Sequence, residues 1–207
     1  MTQDELKAHI KSQDKVVIEL GCGPYKKPGV IGIDYLALDG VDYVADLELG
    51  LPFLEDNSVD EIISTHVLEH IENFKILLTD IHRVLKPNGL KITKVPYFSN
   101  PYYYSDYTHK RFFGLYSFDY FTDPKLSKYK RKVPSFYGDV KFEVLEKKIF
   151  FKSDFVIRNL FKQVLTRVFN VNTYMQELYE ECFCYIFPCQ EIKFTIRPIK
   201  SNDQEIS

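Results

Sequence analysis

VVIELGCGPYKKPGVIGID, residues 16–34, is the stretch whose reading decides the fold. Val16 to Leu20 is a short apolar, β-branched run that predicts a buried strand. Gly21-Cys22-Gly23-Pro24 breaks it, and Val30 to Ile33 starts a second strand that stops at Asp34. Strand, glycine turn, strand and acid open the nucleotide-binding α/β folds. Gly21 and Gly23 would let the backbone approach a ligand where a Cβ would collide. Asp34, at the carboxyl end of the second strand, could accept hydrogen bonds from ribose hydroxyls.

Working outward, the pattern of strands and helices continues. Thr2 and Glu5 have capping-box spacing for an opening helix over residues 2–14. Further strands are predicted at 41–44, 60–64, 90–95, 141–151 and 191–198, and the breaker-rich segment 50–58 is a loop. Phe74, Leu77, Leu78, Ile81, Val84 and Leu85 recur at helical spacing behind Asn73 as the cap, and Lys86-Pro87-Asn88-Gly89 ends that helix. Strands alternating with helices predict an α/β, doubly wound, mostly parallel sheet of the seven-stranded type. Only residues 21–29 separate the first two strands, against the dozen or more of an ordinary parallel crossover, so the first crossover helix is predicted to be shortened or missing. The 207 residues read as one domain, with 1–96 a ligand-binding half, 97–190 an aromatic-rich acceptor and lid region, and 191–198 the last strand.

Composition narrows the function classes. A formal charge of −2 argues against a nucleic-acid binder, which carries a basic excess. No apolar run is long enough to span a bilayer, and residues 1–15 lack the apolar core of a signal peptide, so a cytoplasmic protein is expected. Cys182, Cys184 and Cys189 follow C-x-C-x4-C, which is not a usual zinc spacing, and buried reduced thiols are expected.

The segments VIELGCGP, GID, ADLELGLPFLEDNSVDEIISTHVLEHI and LLTDIHRVLKPNGLKITKVP, in this order, resemble the class I methyltransferases that use S-adenosylmethionine, of the small kind called type 11. The resemblance spans roughly residues 16–122 and implies a Rossmann-like methyltransferase fold with S-adenosylmethionine as cofactor. By position it implies that Glu19, Gly21, Cys22 and Gly23 lie along the methionine part and Asp34 on the ribose. It likewise implies that Asp46 and Leu47 lie beside the adenine, and that His66 and Val67 lie toward the transferred methyl. A dinucleotide dehydrogenase would need a third glycine where Lys26 stands.

Two polar stretches remain. HVLEH at 66–70 fits the H-x-x-E-H of some zinc peptidases, but it begins where a buried strand ends, and no metal site is expected from it. Asp106-Tyr107-Thr108-His109-Lys110-Arg111 resembles a D-P-T-H stretch of related methyltransferases, with Tyr107 replacing the proline. His109 could act as a base toward a hydroxyl, Asp106 could orient it or hydrogen-bond a substrate hydroxyl, and Arg111 could hold an anionic group; the alternative is that His109 and Asp106 tie down a loop. His66, Asp106 and His109 are therefore the catalytic candidates, with Tyr97, Tyr107 and Arg111 on the substrate. Twelve aromatics among residues 97–121 could wall the acceptor or pack a lid.

The sequence thus predicts methyl transfer to a small acceptor, first a hydroxyl of a sugar or glycan precursor. The alternative is a non-catalytic cofactor-binding or regulatory protein of the same fold. The helix predicted at 155–170 is amphipathic, with Arg158, Lys162 and Arg167 off its apolar stripe. It would pack on the sheet or make weak contact with an anionic membrane surface. The sequence does not fix an oligomeric state.

Overall fold

The computed structural model describes residues 1–136 and 138–200. Residues 201–207, read from sequence as a disordered tail, lie outside the described residues. Seven strands form one sheet: β1 (Val17–Leu20), β2 (Ile31–Asp34), β3 (Tyr43–Val44), β4 (Val59–Thr65), β5 (Leu85–Pro96), β6 (Lys141–Phe150) and β7 (Glu191–Ile199). Their order is β3-β2-β1-β4-β5-β7-β6. Strands β1 to β5 are parallel, and β7 runs antiparallel between β5 and β6. The chain leaves β1 in one direction and returns to pair β4 on its other side. This puts the switch in strand order between β1 and β4, where α/β sheets bind ligands at the carboxyl ends of their strands.

The predicted short crossover is present. Residues 21–30 join β1 to β2 without a helix. Four-residue strands span only about 13 Å, and ten residues can reach roughly 33 Å, so a loop suffices to return the chain. The space a helix would fill is taken by side chains of this loop. A Cβ built on Gly32 would meet Cys22 Sγ at 2.7 Å and Lys26 Cδ at 2.9 Å. Lys26 pairs with Asp42, whose carboxylate also accepts from Gly32 N.

Helix α1 (Gln3–Lys11) begins in the predicted capping box: Thr2 accepts from Glu5 N, and the Glu5 carboxylate accepts from Thr2 N. Helix α2 (Phe74–Val84) buries Leu77, Leu78, Ile81 and Val84, the apolar stripe read from sequence. Strand β5 starts earlier than predicted, directly at Leu85. The register steps from Val59–Leu85 to Glu61–Leu90, so Lys86–Gly89 bulges out of the ladder instead of separating helix from strand.

Beyond β5 the aromatics divide between interior and surface: Tyr102, Tyr104, Tyr107, Phe112 and Tyr120 are exposed. Tyr97, Tyr103, Phe113 and Phe118 are buried. A short helix α4 (Thr173–Leu178) and a π-helical turn (Tyr179–Phe183), neither predicted, close over them. Glu180 accepts from Tyr97 Oη and from Leu115 N, and Glu177 accepts from Tyr116 Oη at 2.9 Å. Helix α3 (Val156–Phe169) departs further from expectation. Of its apolar stripe only Phe169 is buried, while Ile157 is 84% exposed and Leu160 61% exposed. The sequence shows an amphipathic period but not which surface covers it. Among the described residues no helix is long and apolar enough to cross a membrane.

Candidate active site

The glycine turn sits at the carboxyl end of β1, beside the end of β4. Gly21 has φ +63, and a Cβ built on it would lie 2.3 Å from Val67 Cγ2. Val67 therefore packs directly on the turn, and no other residue fits at position 21 without moving it. Gly23 has φ +55, and nothing lies within 4 Å of its built Cβ. That open space over a left-handed glycine is a cradle that a side chain would fill, and it suits a ligand lying against backbone. Gly23 N donates to Asp34 Oδ2 at 2.8 Å and Leu36 N to Oδ1 at 3.1 Å. Each Asp34 oxygen keeps a lone pair for a hydroxyl.

Glu19 is nearly buried and is held by the loop, accepting from Lys27 N at 2.8 Å with Lys27 Nζ at 3.7 Å. Asp46 caps a 3₁₀ turn through Glu48 N at 2.9 Å, and Leu47 is buried beneath it. The Cys22 thiol turns toward Gly32, away from the cradle; burial, then the neighbouring Asp34, pushes it above the usual thiol range. Its sulfur packs on β2, so a contact of this residue with a ligand in the turn would come from its backbone.

Residues 66–70 form a turn, not a helix, so His66 and His70 do not share a helical face. His66 itself is in the left-handed region, φ +55, a conformation that costs a non-glycine residue about 1–2 kcal/mol and gathers at functional sites. Its Nδ1 lies 3.3 Å from Glu69 Oε1 without the alignment of a hydrogen bond, and its Nε2 lies 3.8 Å from Glu191 Oε2. Glu69, then Glu191, hold the imidazole above its ordinary range, against the opposing effect of burial.

The 106–111 stretch folds onto this turn, because Lys110 N and Arg111 N both donate to the Glu69 carbonyl, at 2.8 and 3.2 Å. His109 is largely buried; its Nδ1 bonds the Tyr103 carbonyl at 2.9 Å, and its Nε2 lies 3.6 Å from Asp106 Oδ2. Asp106 does not orient His109 as expected. Its Oδ1 accepts from Thr108 Oγ1 at 2.6 Å and Thr108 N at 2.9 Å, and these bonds hold its carboxyl below the usual range.

One substrate candidate is corrected. Tyr97 is 0% exposed, with its phenol given to Glu180, so it belongs to the core. Arg111 spends its guanidinium on carbonyls, Nε on Ile71 O at 2.7 Å and Nη2 on Glu72 O, and stacks over Phe74. It clasps the entry to α2 with these two donors, and Nη1 makes no hydrogen bond among the described residues. Tyr107, 97% exposed, touches nothing that would position it. Conversely, Glu69 and His70 face the cluster, though sequence raised them only within the HVLEH zinc pattern. The signal was the repeated histidine and acid in both stretches; their convergence is tertiary.

Residues 25–93 match the profile of a family described as a methyltransferase domain. Over that third of its length the chain is similar to the methyltransferase domain family. Its fold is that of a solved S-adenosylmethionine-dependent methyltransferase from Archaeoglobus fulgidus, at 17% identity, TM-score 0.51, covering 95% of this chain and 94% of that one. The putative methyltransferase solved in complex with the Trm112 activator of Haloferax volcanii is similar at 16% identity and TM-score 0.50, over 93% and 87% of the two chains. No curated protein sequence matches the chain. The residues here fit the S-adenosylmethionine on which the Archaeoglobus protein depends: Asp34 and Asp46 supply acceptors, and the Gly23 cradle leaves backbone open to a ligand.

Proposed function

We propose that this methyltransferase acts on a hydroxyl of a small acceptor, of the sugar or glycan-precursor class, with His66 receiving the proton. The observation that carries this reading is the contact of Val67 with Gly21, which ties the histidine and acid cluster to the cofactor turn. S-adenosylmethionine supplies an electrophilic methyl on a good leaving group, so much of the rate comes from alignment. His66 is half exposed at the end of β4 and can meet a hydroxyl, whereas His109 is enclosed. Glu69 and Glu191, on either side of the His66 ring, favour the imidazolium that forms on proton transfer. Asp106 acts through Thr108, fixing the 106–111 loop over the acceptor space.

The test incubates the protein with S-adenosylmethionine and a panel of sugar, nucleotide-sugar and small alcohol acceptors, with product read by mass. His66→Gln should lower kcat by roughly 10²–10⁴-fold, the usual worth of acid–base help, while leaving cofactor affinity intact. Full turnover by His66→Gln would refute the proton role. Cofactor binding with no methylated product from any acceptor would favour the non-catalytic alternative.

The exposed stripe of α3 supports a second contact, with an anionic lipid surface. Residues 152–174 carry Lys152, Arg158, Lys162 and Arg167 against Asp154 alone, beside exposed Ile157, Leu160, Phe161 and Val164. A second copy seated there would face like charge. Flotation with phosphatidylserine vesicles should recover the protein, and reversal of Arg158, Lys162 and Arg167 should abolish it; recovery equal on neutral vesicles would refute the charge contribution.

A further inference from the structure

Glu69 is 0% exposed, and neither of its carboxylate oxygens has a hydrogen-bond partner among the described residues. A buried carboxylate without an aligned hydrogen bond is costly to keep, and its one ion-pair contact is His66 Nδ1, 3.3 Å from Oε1. The other groups that face it offer lone pairs. One donor atom each from Glu69, His70 and His109 lies within 4.8 Å of the others, and the two imidazole rings are 4.8 Å apart.

The hydrogen bonds behind the two histidines fix which nitrogen is bare. His109 Nδ1 bonds the Tyr103 carbonyl, which can only accept, so Nδ1 carries a proton and Nε2, 3.6 Å from Asp106 Oδ2, is the nitrogen whose lone pair can ligate in the neutral ring. Thr108 gives its one hydroxyl proton to Asp106 Oδ1 at 2.6 Å. Its oxygen must then accept from His70 Nδ1, 2.8 Å away, which leaves His70 Nε2 bare as well. An imidazole whose far nitrogen donates to a carbonyl, or through a hydroxyl to a carboxylate, is the arrangement that supports a metal ligand. The whole group is thus two oriented nitrogen donors and one buried carboxylate that no hydrogen bond satisfies, with the half-exposed His66 as its ion-pair neighbour.

We propose that Glu69, His70 and His109 bind one first-row divalent cation of the zinc class. Two imidazoles and a carboxylate are a three-ligand set that leaves a coordination position open. The proposal reverses the expectation that HVLEH holds no metal, but by a different set: His66 is not a ligand, and the third donor comes from beyond β5. It stands independently of the methyl-transfer reading. If both hold, the ion would polarise an acceptor oxygen beside His66.

The experiment uses the full chain, stripped with a chelator and dialysed. Titration with Co²⁺ is followed by its visible absorption, with Zn²⁺ as competitor and elemental analysis for stoichiometry. The expected result is one ion per chain, ligand-field bands on Co²⁺ addition, and at least tenfold weaker binding in each of Glu69→Gln, His70→Asn and His109→Asn. A second readout is thermal melting: stripped Glu69→Gln should melt above stripped wild type, and Zn²⁺ should raise wild type but not the variant. No stoichiometric binding by the wild type, or binding that all three variants retain as an adventitious ion would, overturns the site. Circular dichroism identifies any variant that fails to fold, and the remaining two then decide.

Discussion

Gly21 and Gly23 are both left-handed and stand two residues apart, yet alanine should do different things at each. At Gly23 the built Cβ meets nothing within 4 Å, so the free protein bears only the backbone cost, about 1–2 kcal/mol. At roughly 2–4 °C per kcal/mol for a chain of this size, the melting temperature should fall by about 2–8 °C. At Gly21 the same cost is joined by a Cβ 2.3 Å from Val67 Cγ2, and overpacking adds about 1–3 kcal/mol. The total is about 2–5 kcal/mol, or roughly 4–20 °C. Cofactor affinity should separate the two in the opposite sense. The new methyl of Gly23→Ala would occupy the cradle itself, so calorimetric titration with S-adenosylhomocysteine should show at least tenfold weaker binding in a protein that is still folded. If Gly23→Ala binds with wild-type affinity, no ligand lies against that glycine, and the placement of the cofactor here is wrong.

Lys91 lies wholly within the sheet, its amine donating to Ser64 Oγ, and burial holds it well below the usual lysine range. Because its pKa is lowered in the folded state, the unfolded chain binds the extra proton between the folded and unfolded values, and stability should rise with pH through that window. Lys91→Met should be more stable than wild type, with the gap narrowing by about 1.4 kcal/mol per pH unit toward pH 10 in urea titrations; parallel pH curves would refute the linkage. The Lys147–Asp119 pair is buried between β6 and the aromatic segment, so Lys147→Met alone should cost about 3–5 kcal/mol in denaturant unfolding, and adding Asp119→Leu should restore much of it. Arg111→Lys cannot reproduce the fork onto Ile71 O and Glu72 O and should lose about 1.5–3 kcal/mol of stability by the same assay.

What could be read in advance followed the reach of the physical signal. Strand β1, the capping box of α1 and the buried stripe of α2 are local, because period and cap chemistry lie within a dozen residues. The missing crossover helix was legible by counting. Tyr97 was misread because composition says that a residue can bind, not which way it faces, and the two carbonyls that Arg111 holds were likewise out of local reach. Tyr97 is claimed by Glu180 from 83 positions away, and Arg111 by carbonyls 39 and 40 residues back. The α3 stripe shows the same limit: its period predicts an apolar face without saying what covers it. Glu69, His70 and His109 needed the fold of 106–111 onto the β4 turn, which no spacing encodes.

The loop that replaces the first crossover helix also changes the electrostatics of the cofactor's anionic end. A helix opening after the glycine turn would bring roughly half a positive charge from its aligned peptide dipoles to that point. Here the backbone N–H groups of Gly23 and Lys27 are already spent on Asp34 and Glu19. Attraction for an anion therefore falls to the loop's side-chain ammonium groups, Lys26 and Lys27, which already pair with Asp42 and Glu19 and which solvent ions screen over about 8 Å at physiological salt. Donor affinity in this protein should consequently decline with ionic strength.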